Sequence, residues 1–187
     1  LANLGDLAQL YADRSLTDFA DLLENALPPR PLTLDEIAAR VGTSRARLAT
    51  AAGDAAMDAT FVLAPRVRHV CGEAERVGRA ETALAAGDWE ALGALMDASH
   101  ASCRDDYEIS LPELEELVGA ARDCGAIGAR LTGAGFGGCT INLVPGGDAT
   151  LFMARMERAF YAERPAARGR EHAFVVAPSA GASVESL

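Results

Sequence analysis

The 187 residues are 50% hydrophobic and 24% charged, which places the chain among ordinary globular proteins with enough apolar mass for one substantial core. All seventeen basic residues are Arg and the formal net charge is −10, so chemistry that needs a Lys is excluded, from a P-loop phosphate lysine to a Schiff base. So acidic a chain has no basic footprint for nucleic acid or an anionic membrane surface, and no run approaches the ~18 consecutive apolar residues of a membrane span. A small anion held by backbone amides stays possible, since that needs local N–H groups rather than net charge. No basic region leads into an apolar run at the N-terminus, so a soluble, cytoplasmic protein is expected. The first residue is Leu1 rather than Met, and a processed or cut product is expected.

Helical spacing runs around Leu4 to Tyr11 and again from Phe19 to Leu23, before a Pro28-Pro29-Arg30-Pro31 break that reads as an internal turn. Two short helices follow in LTLDEIAARVGTSRARL, Leu32 to Leu48, with Thr33 and Glu36 spaced as a capping box. Ile37, Ala38, Val41, Gly42 and Leu48 fall where a helix-turn-helix wants hydrophobe, small residue, hydrophobe, glycine and hydrophobe, so a DNA-binding regulator is one reading. Thr43 departs from that pattern. Nine acids against five arginines in residues 1–60, a local charge of −4, favour a plain helical pair.

From Arg66 to Ala86, Val67, Val70, Cys71, Ala74, Val77, Gly78 and Leu84 recur every three or four positions, predicting a helix with one buried face. Gly87 is a helix stop and Asp88 an N-cap for a second helix striped by Trp89, Leu92, Leu95, Met96, Ser99 and Cys103. The two form a hairpin. S-L-P-E predicts a third helix starting at Ser110, with a capping box between Ser110 and Glu113, Pro112 in the first turn, and Leu111, Leu114, Leu117, Val118 and Ala121 facing inward.

The period then switches to alternation: Ile127, Ala129 and Leu131 face one way, followed by a glycine loop and an apolar run from Thr140 to Val144. After Pro145-Gly146-Gly147, Asp148 is placed to cap a helix carrying Phe152, Met153, Met156 and Phe160, and a last strand is predicted from Ala173 to Ala177. The fold class is α+β: a helix hairpin plus an antiparallel sheet flanked by helices. Cys71, Cys103, Cys124 and Cys139 form no CxxC pair, and His69, His100 and His172 make no HExxH, so buried reduced thiols are expected and a metal site is not.

Gly133, Gly135 and Gly138 satisfy GxGxxG, but a dinucleotide fingerprint opens a helix, whereas Cys139 to Val144 reads as a strand. Two uses remain for such a loop: amides brought close to a phosphate, or a tight turn that only packs. Spacing does not choose between them.

GARLTGAGFGGCTINLV, Gly128 to Val144, closely resembles the third conserved motif of the galactokinase branch of the GHMP kinases, the family of galactokinase, homoserine, mevalonate and phosphomevalonate kinases. GDWEALGALMDASHASCRDDYEISLPEL, Gly87 to Leu114, and RHVCGEAERV, Arg68 to Val77, agree with the same branch in order and spacing. The resemblance covers roughly 66–187 and implies a GHMP kinase C-terminal-type domain over 61–187, after a weakly matched helical segment over 1–60. It implies transfer of the ATP γ-phosphoryl group to galactose or a related sugar, with Mg²⁺ balancing charge. It places Gly133, Ala134, Gly135, Phe136, Gly137 and Gly138 at a domain interface near the transferred phosphate, with Phe136 as a packing residue. Asp105, Asp106, Tyr107, Ser110 and His100 are read as structural: helix caps, an anchor for the loop and a satisfied helix histidine.

The family's G-R-V-N-L-I-G-E-H sugar motif and G-L-S-S-S-A phosphate loop do not occur in these residues, and its catalytic aspartate belongs with them. No catalytic residue is therefore assigned to this chain. ATP and Mg²⁺ are expected to bind mainly through an N-terminal half, which is the implied partner. The chain alone is expected to be inactive and to self-associate through the uncovered face. A catalytically dead relative serving as a sensor or scaffold is the alternative.

Overall fold

The computed structural model describes residues 15–53, 58–164 and 173–177; the helical pattern around Leu4 to Tyr11 lies outside them. Helix α1 (Leu16–Ala26) opens where Ser15 Oγ accepts the Asp18 N–H and the Asp18 carboxylate accepts the Ser15 N–H. Beyond the prolines come β1 (Leu32–Thr33), α2 (Leu34–Val41), α3 (Arg45–Ala52) and β2 (Thr60–Phe61). The Thr33–Glu36 capping box forms as predicted, and Gly42 ends α2 in left-handed backbone. Strands β1 and β2 pair antiparallel, Leu32 opposite Phe61, and Leu32 is fully buried.

The helix hairpin is α4 (Leu63–Ala86) and α5 (Trp89–Asp105), turned by left-handed Gly87 and by Asp88, whose carboxylate accepts the Ala91 N–H at 2.9 Å. Its buried face differs from the predicted one. Val70, Val77 and Leu84 are 44%, 59% and 51% exposed, while Ala64, Cys71 and Ala83 are buried. The side that meets α5 is instead polar: Glu73 accepts from Ser99 at 2.6 Å and pairs with Arg76, and His69 Nδ1 lies 3.0 Å from Ser102 Oγ. A seam made by hydrogen bonds leaves no apolar period to read.

Helix α6 (Pro112–Asp123) starts one turn-residue later than predicted, with Leu111 as N-cap and Pro112 at its first position. The Ser110–Glu113 capping box does not form, because the Ser110 hydroxyl donates to the Glu115 carboxylate instead. Leu114, Val118 and Ala121 face inward as predicted.

Strands β3 (Gly128–Thr132) and β4 (Cys139–Leu143) form an antiparallel hairpin in register from Gly128 opposite Leu143 to Thr132 opposite Cys139. Helix α7 (Ala149–Met156) follows a single 3-10 turn, Gly146–Asp148, and runs on into a π turn, Glu157–Tyr161. Asp148 precedes α7 without making a side-chain cap bond. Phe152, Met156 and Phe160 close one core with Val118, Ala121, Cys124, Ala126 and Ala129; a second cluster joins Cys103, Leu114 and Leu131, with Ile109 against it.

Residues 173–177 are not a strand. Phe174, Val175 and Val176 are 69%, 64% and 71% exposed with no ladder partner, and β-branched residues alone do not make a strand without an edge to pair with. Cys71, Cys103 and Cys124 are buried free thiols, but Cys139 is exposed, because the first residue of β4 lies at the mouth of the glycine loop.

Candidate functional site

The second core cluster positions the loop. Ile109 packs against Leu131, Cys103 and Leu114, its N–H donates to the Cys103 carbonyl at 3.0 Å, and its own carbonyl accepts the Phe136 N–H at 2.8 Å. The turn that leads off α5 thus seats the loop that joins β3 to β4. Gly135 lies so close to this seat that a Cβ built on it would stand 2.6 Å from both Cβ and the carbonyl oxygen of Ile109. Its lack of a side chain is set by packing within this chain.

Five of the six residues from Gly133 to Gly138 have left-handed backbone: φ is 89°, 77°, 57°, 124° and 89° at Gly133, Gly135, Phe136, Gly137 and Gly138. Among the described residues a Cβ on Gly137 would meet nothing within 4 Å, so there it is the positive φ that calls for glycine. Phe136 is the non-glycine member. It is 69% exposed: the left-handed backbone carries the ring off the loop, where nothing in the described residues covers it.

Helix α5 holds the strand that precedes the loop. Asp97 Oδ1 accepts the Ala129 N–H at 2.9 Å and His100 Nδ1 accepts the Leu131 N–H at 3.3 Å, so two strand donors not paired with β4 find partners on the helix. Gly93 and Gly128 let the two backbones touch: a Cβ on Gly128 would lie 2.4 Å from the Gly93 Cα. His100 therefore anchors the strand through Nδ1, but it is not the fully satisfied histidine expected, since its Nε2 is buried without a hydrogen-bond partner among the described residues. With Nδ1 accepting, its ring proton sits on Nε2, 3.1 Å from Glu115 Oε1 but off the line of a hydrogen bond.

The D-D-Y-E run is likewise structural. Asp105 accepts from Nε and Nη2 of Arg104, hydrogen bonds that hold its carboxyl below the ordinary range, while Nη1 donates to Glu115. Asp106 Oδ2 accepts from Ser102 at 3.1 Å, and Tyr107 stacks on His69 with centroids 4.5 Å apart. Burial would push Glu115 up, but hydrogen bonds from Ser110 and Arg104 outweigh it and hold the carboxyl low. Burial likewise opposes ionisation of Glu73, and is outweighed by bonds from Ser99 and Arg76. Burial pushes His69 down. Sequence reasoning missed Ile109, Asp97 and Arg66, which donates to the Asp106 carbonyl and pairs with Glu108. Only Ile109 left a signal, as a lone apolar residue inside an acidic and polar run.

In the helical pair α2 and α3, Arg45 pairs with Asp35 at 3.1 Å and Arg30 with Glu36 at 2.5 Å, so two of the few cations near it are neutralised by neighbouring acids. Nothing here favours a nucleic-acid surface.

Residues 80–162, which carry the α5–α6 pair, the hairpin and its glycine loop, match the family model described as GHMP kinases C terminal. That stretch is similar to the C-terminal domain of the GHMP kinases. Among its similar proteins are galactokinases: 47% identity over 97 residues with that of Bos taurus, covering 51% of this chain and 25% of the relative. The human galactokinase is 48% identical over 96 residues, covering 51% and 24% of the two chains, and that of Streptomyces coelicolor 46% identical over 116, covering 62% and 29%. A crystal structure of Lactococcus lactis galactokinase complexed with galactose superposes with a TM-score of 0.51 at 38% identity, over 57% of this chain and 28% of that one. The chain thus spans between 24% and 29% of the length of these relatives.

Proposed function

We propose that this chain is the glycine-loop wall of a galactokinase-like sugar kinase, in which the ATP γ-phosphoryl group passes to a hydroxyl of galactose or a related sugar. The observation that carries the reading is the loop: left-handed backbone at five of six positions, inside a stretch 46% to 48% identical to galactokinases. Such a loop presents amides rather than side chains. Preorganised amides aimed at a transferring phosphoryl group stabilise its charge without reorganising at the moment of reaction. Gly133, Ala134, Gly135, Gly137 and Gly138 are the residues for that task; the Phe136 N–H is committed to Ile109, leaving its exposed ring to meet the other half of the enzyme.

Among the described residues no three His, Cys, Asp or Glu side chains group so as to hold a metal ion. In this reading the Mg²⁺ ion, most contacts to ATP and the catalytic aspartate belong to an N-terminal half. That half covers the face around the loop, where Phe136, Ile141 and Tyr107 are 69%, 54% and 43% exposed. Interfaces between domains of one chain commonly bury about 600–1,500 Å², and apolar area of that extent left uncovered favours self-association. We also divide the chain at residue 60, a helical segment before it and the kinase domain after. The β1–β2 ladder and the packing of α1 on α4 tie the two together. Free thiols and the absence, among the described residues, of a helix long and apolar enough to cross a membrane are consistent with a cytoplasmic setting.

The test is ADP release in the presence of ATP, Mg²⁺ and galactose. The 187-residue chain alone is expected to show none. Joined behind the N-terminal half of a galactokinase, it is expected to turn over at roughly 1–100 per second. Turnover by the chain alone would refute the division of labour, and a folded, inert fusion would favour the scaffold reading.

A further inference from the structure

Among the described residues, those that hold the glycine loop from the Ile109 side form a chain of contacts leading back to α4. Phe136 hangs on the Ile109 carbonyl, and Gly135 rests against Ile109. Ile109 is reached through the turn Asp106 to Glu108, in which Glu108 takes a left-handed φ of 59° that a non-glycine residue keeps only where its surroundings hold it. Arg66 of α4 is one of the groups that hold it, beside the Ile109 N–H on the Cys103 carbonyl and the Ser102 hydroxyl on Asp106. One guanidinium nitrogen donates to the Asp106 carbonyl, another pairs with the Glu108 carboxylate, and the group stands 5.8 Å over the Tyr107 ring. Tyr107 is stacked on His69, one turn along the same helix. An isolated surface ion pair would contribute little, but Arg66 binds a backbone carbonyl and a side chain of the same turn and so fixes its conformation rather than only its charge.

We propose that Arg66 is a positioning residue for phosphoryl transfer: by locking the Asp106–Ile109 turn it sets where the glycine-loop amides stand. The inference rests on the kinase reading above. Arg66 touches neither the loop nor any reacting group; it acts through Glu108 and Ile109. Removing it leaves α4, α5 and the hairpin cores intact and lets the turn relax out of its left-handed conformation, which loosens the Phe136 N–H and with it the loop.

The test uses Arg66→Ala, Arg66→Lys and Glu108→Gln in two settings. In the 187-residue chain, amide exchange is followed at Phe136 and the loop glycines, with β3 and β4 amides as internal controls. Arg66→Ala is expected to speed loop exchange by about tenfold or more while the strand amides hold, with Arg66→Lys partly restoring protection, because a lysine reaches only one of the two acceptors. Unchanged loop exchange in both Arg66→Ala and Glu108→Gln overturns the proposal. Glu108→Gln keeps the test open should Arg66→Ala not fold, since it removes the ion pair without emptying the site. In the fusion with an N-terminal half, kcat is expected to fall about tenfold or more with KM for the sugar little changed, the split that marks lost transition-state positioning. A loosened loop with undiminished kcat would leave the contact chain standing but overturn both the phosphate-side placement of the loop and the role of Arg66 in catalysis.

Discussion

Replacing Gly128 with Ala tests whether α5 and β3 meet backbone to backbone. The added Cβ would lie 2.4 Å from Cα, 2.6 Å from the carbonyl oxygen and 2.9 Å from the carbonyl carbon of Gly93. Carbon atoms rest at about 3.5–4.0 Å, so the helix must retreat from the strand by on the order of 1 Å, a gap that forfeits a quarter to a half of each dispersion contact across it. Two hydrogen bonds span the same seam, Ala129 to Asp97 at 2.9 Å and Leu131 to His100 at 3.3 Å. A shift of that size stretches both past bonding distance, and a buried strand N–H left without a partner costs about 1–3 kcal/mol. With two such donors and about 1–3 kcal/mol for overpacking, the expected loss is at least ~3 kcal/mol, a large part of the ~5–15 kcal/mol that holds such a domain together. Gly119→Ala is the control: it lies in α6 with open space around its Cβ, and alanine there is expected to stabilise by about 0.5–1 kcal/mol. Urea denaturation followed by circular dichroism reads both. If Gly128→Ala unfolds within about 0.5 kcal/mol of the parent, the two backbones do not touch and the account of how the loop's first strand is held is wrong.

The four cysteines should separate in a thiol titration, Cys139 reacting at once and the three buried thiols, pushed up by burial in each case, only after denaturation. Three or four fast thiols in the folded chain would contradict the core described here. Stability should also fall as pH drops, in two stages. Burial holds His69 below its ordinary value of 6.5, so the unfolded chain binds its proton first and stability declines as pH falls through about 6.5. Glu73 and Glu115 are held below their ordinary 4.5, so their contribution is complete above that value and is lost as pH falls through their lower folded values. Denaturation midpoints from pH 8 to 3 check both stages; Glu73→Gln should flatten the acid stage, and an unchanged acid stage in that variant would rule out Glu73 as a source.

The elements that rest on local chemistry were legible in the sequence: the Thr33–Glu36 box, the Gly87–Asp88 junction and the alternation of β3 were all predicted, and all form. What periodicity missed was decided by partners. Val70, Val77 and Leu84 formed the most regular apolar stripe of α4, yet they face outward, because Glu73, Arg76 and His69 meet the serines of α5 and hydrogen bonding rather than apolar area defines that seam. Ser110 was placed as a cap by its spacing from Glu113, but Glu115 offers its hydroxyl a carboxylate one turn further on. In the site, the loop glycines were evident from composition. The residue that seats them was not, since Ile109 acts mainly through its backbone carbonyl and its packing, and a carbonyl has no sequence signature.

That seat changes which glycine can report on phosphate. Gly135 would be the natural choice, yet any side chain there collides with Ile109, so Gly135→Val would displace the loop and depress activity whether or not a phosphate lies near it. Gly137 separates the two causes. A Cβ there meets nothing among the described residues, and the substitution then carries the strain of an L residue at a φ of 124°, about 1–3 kcal/mol if the loop cannot relax. The strain is measured by unfolding Gly137→Ala in the 187-residue chain, where no N-terminal half is present to feel the methyl group. In the fusion enzyme the same methyl group stands in the open space where the kinase reading puts the transferred phosphate. There kcat/KM is expected to fall on the order of 10²-fold, about 2.7 kcal/mol in transition-state terms, beyond whatever stability was lost. A fusion that keeps its kcat/KM with alanine at 137 would mean that nothing approaches the loop from that side, and the loop would then be a turn built to fit Ile109 and nothing more.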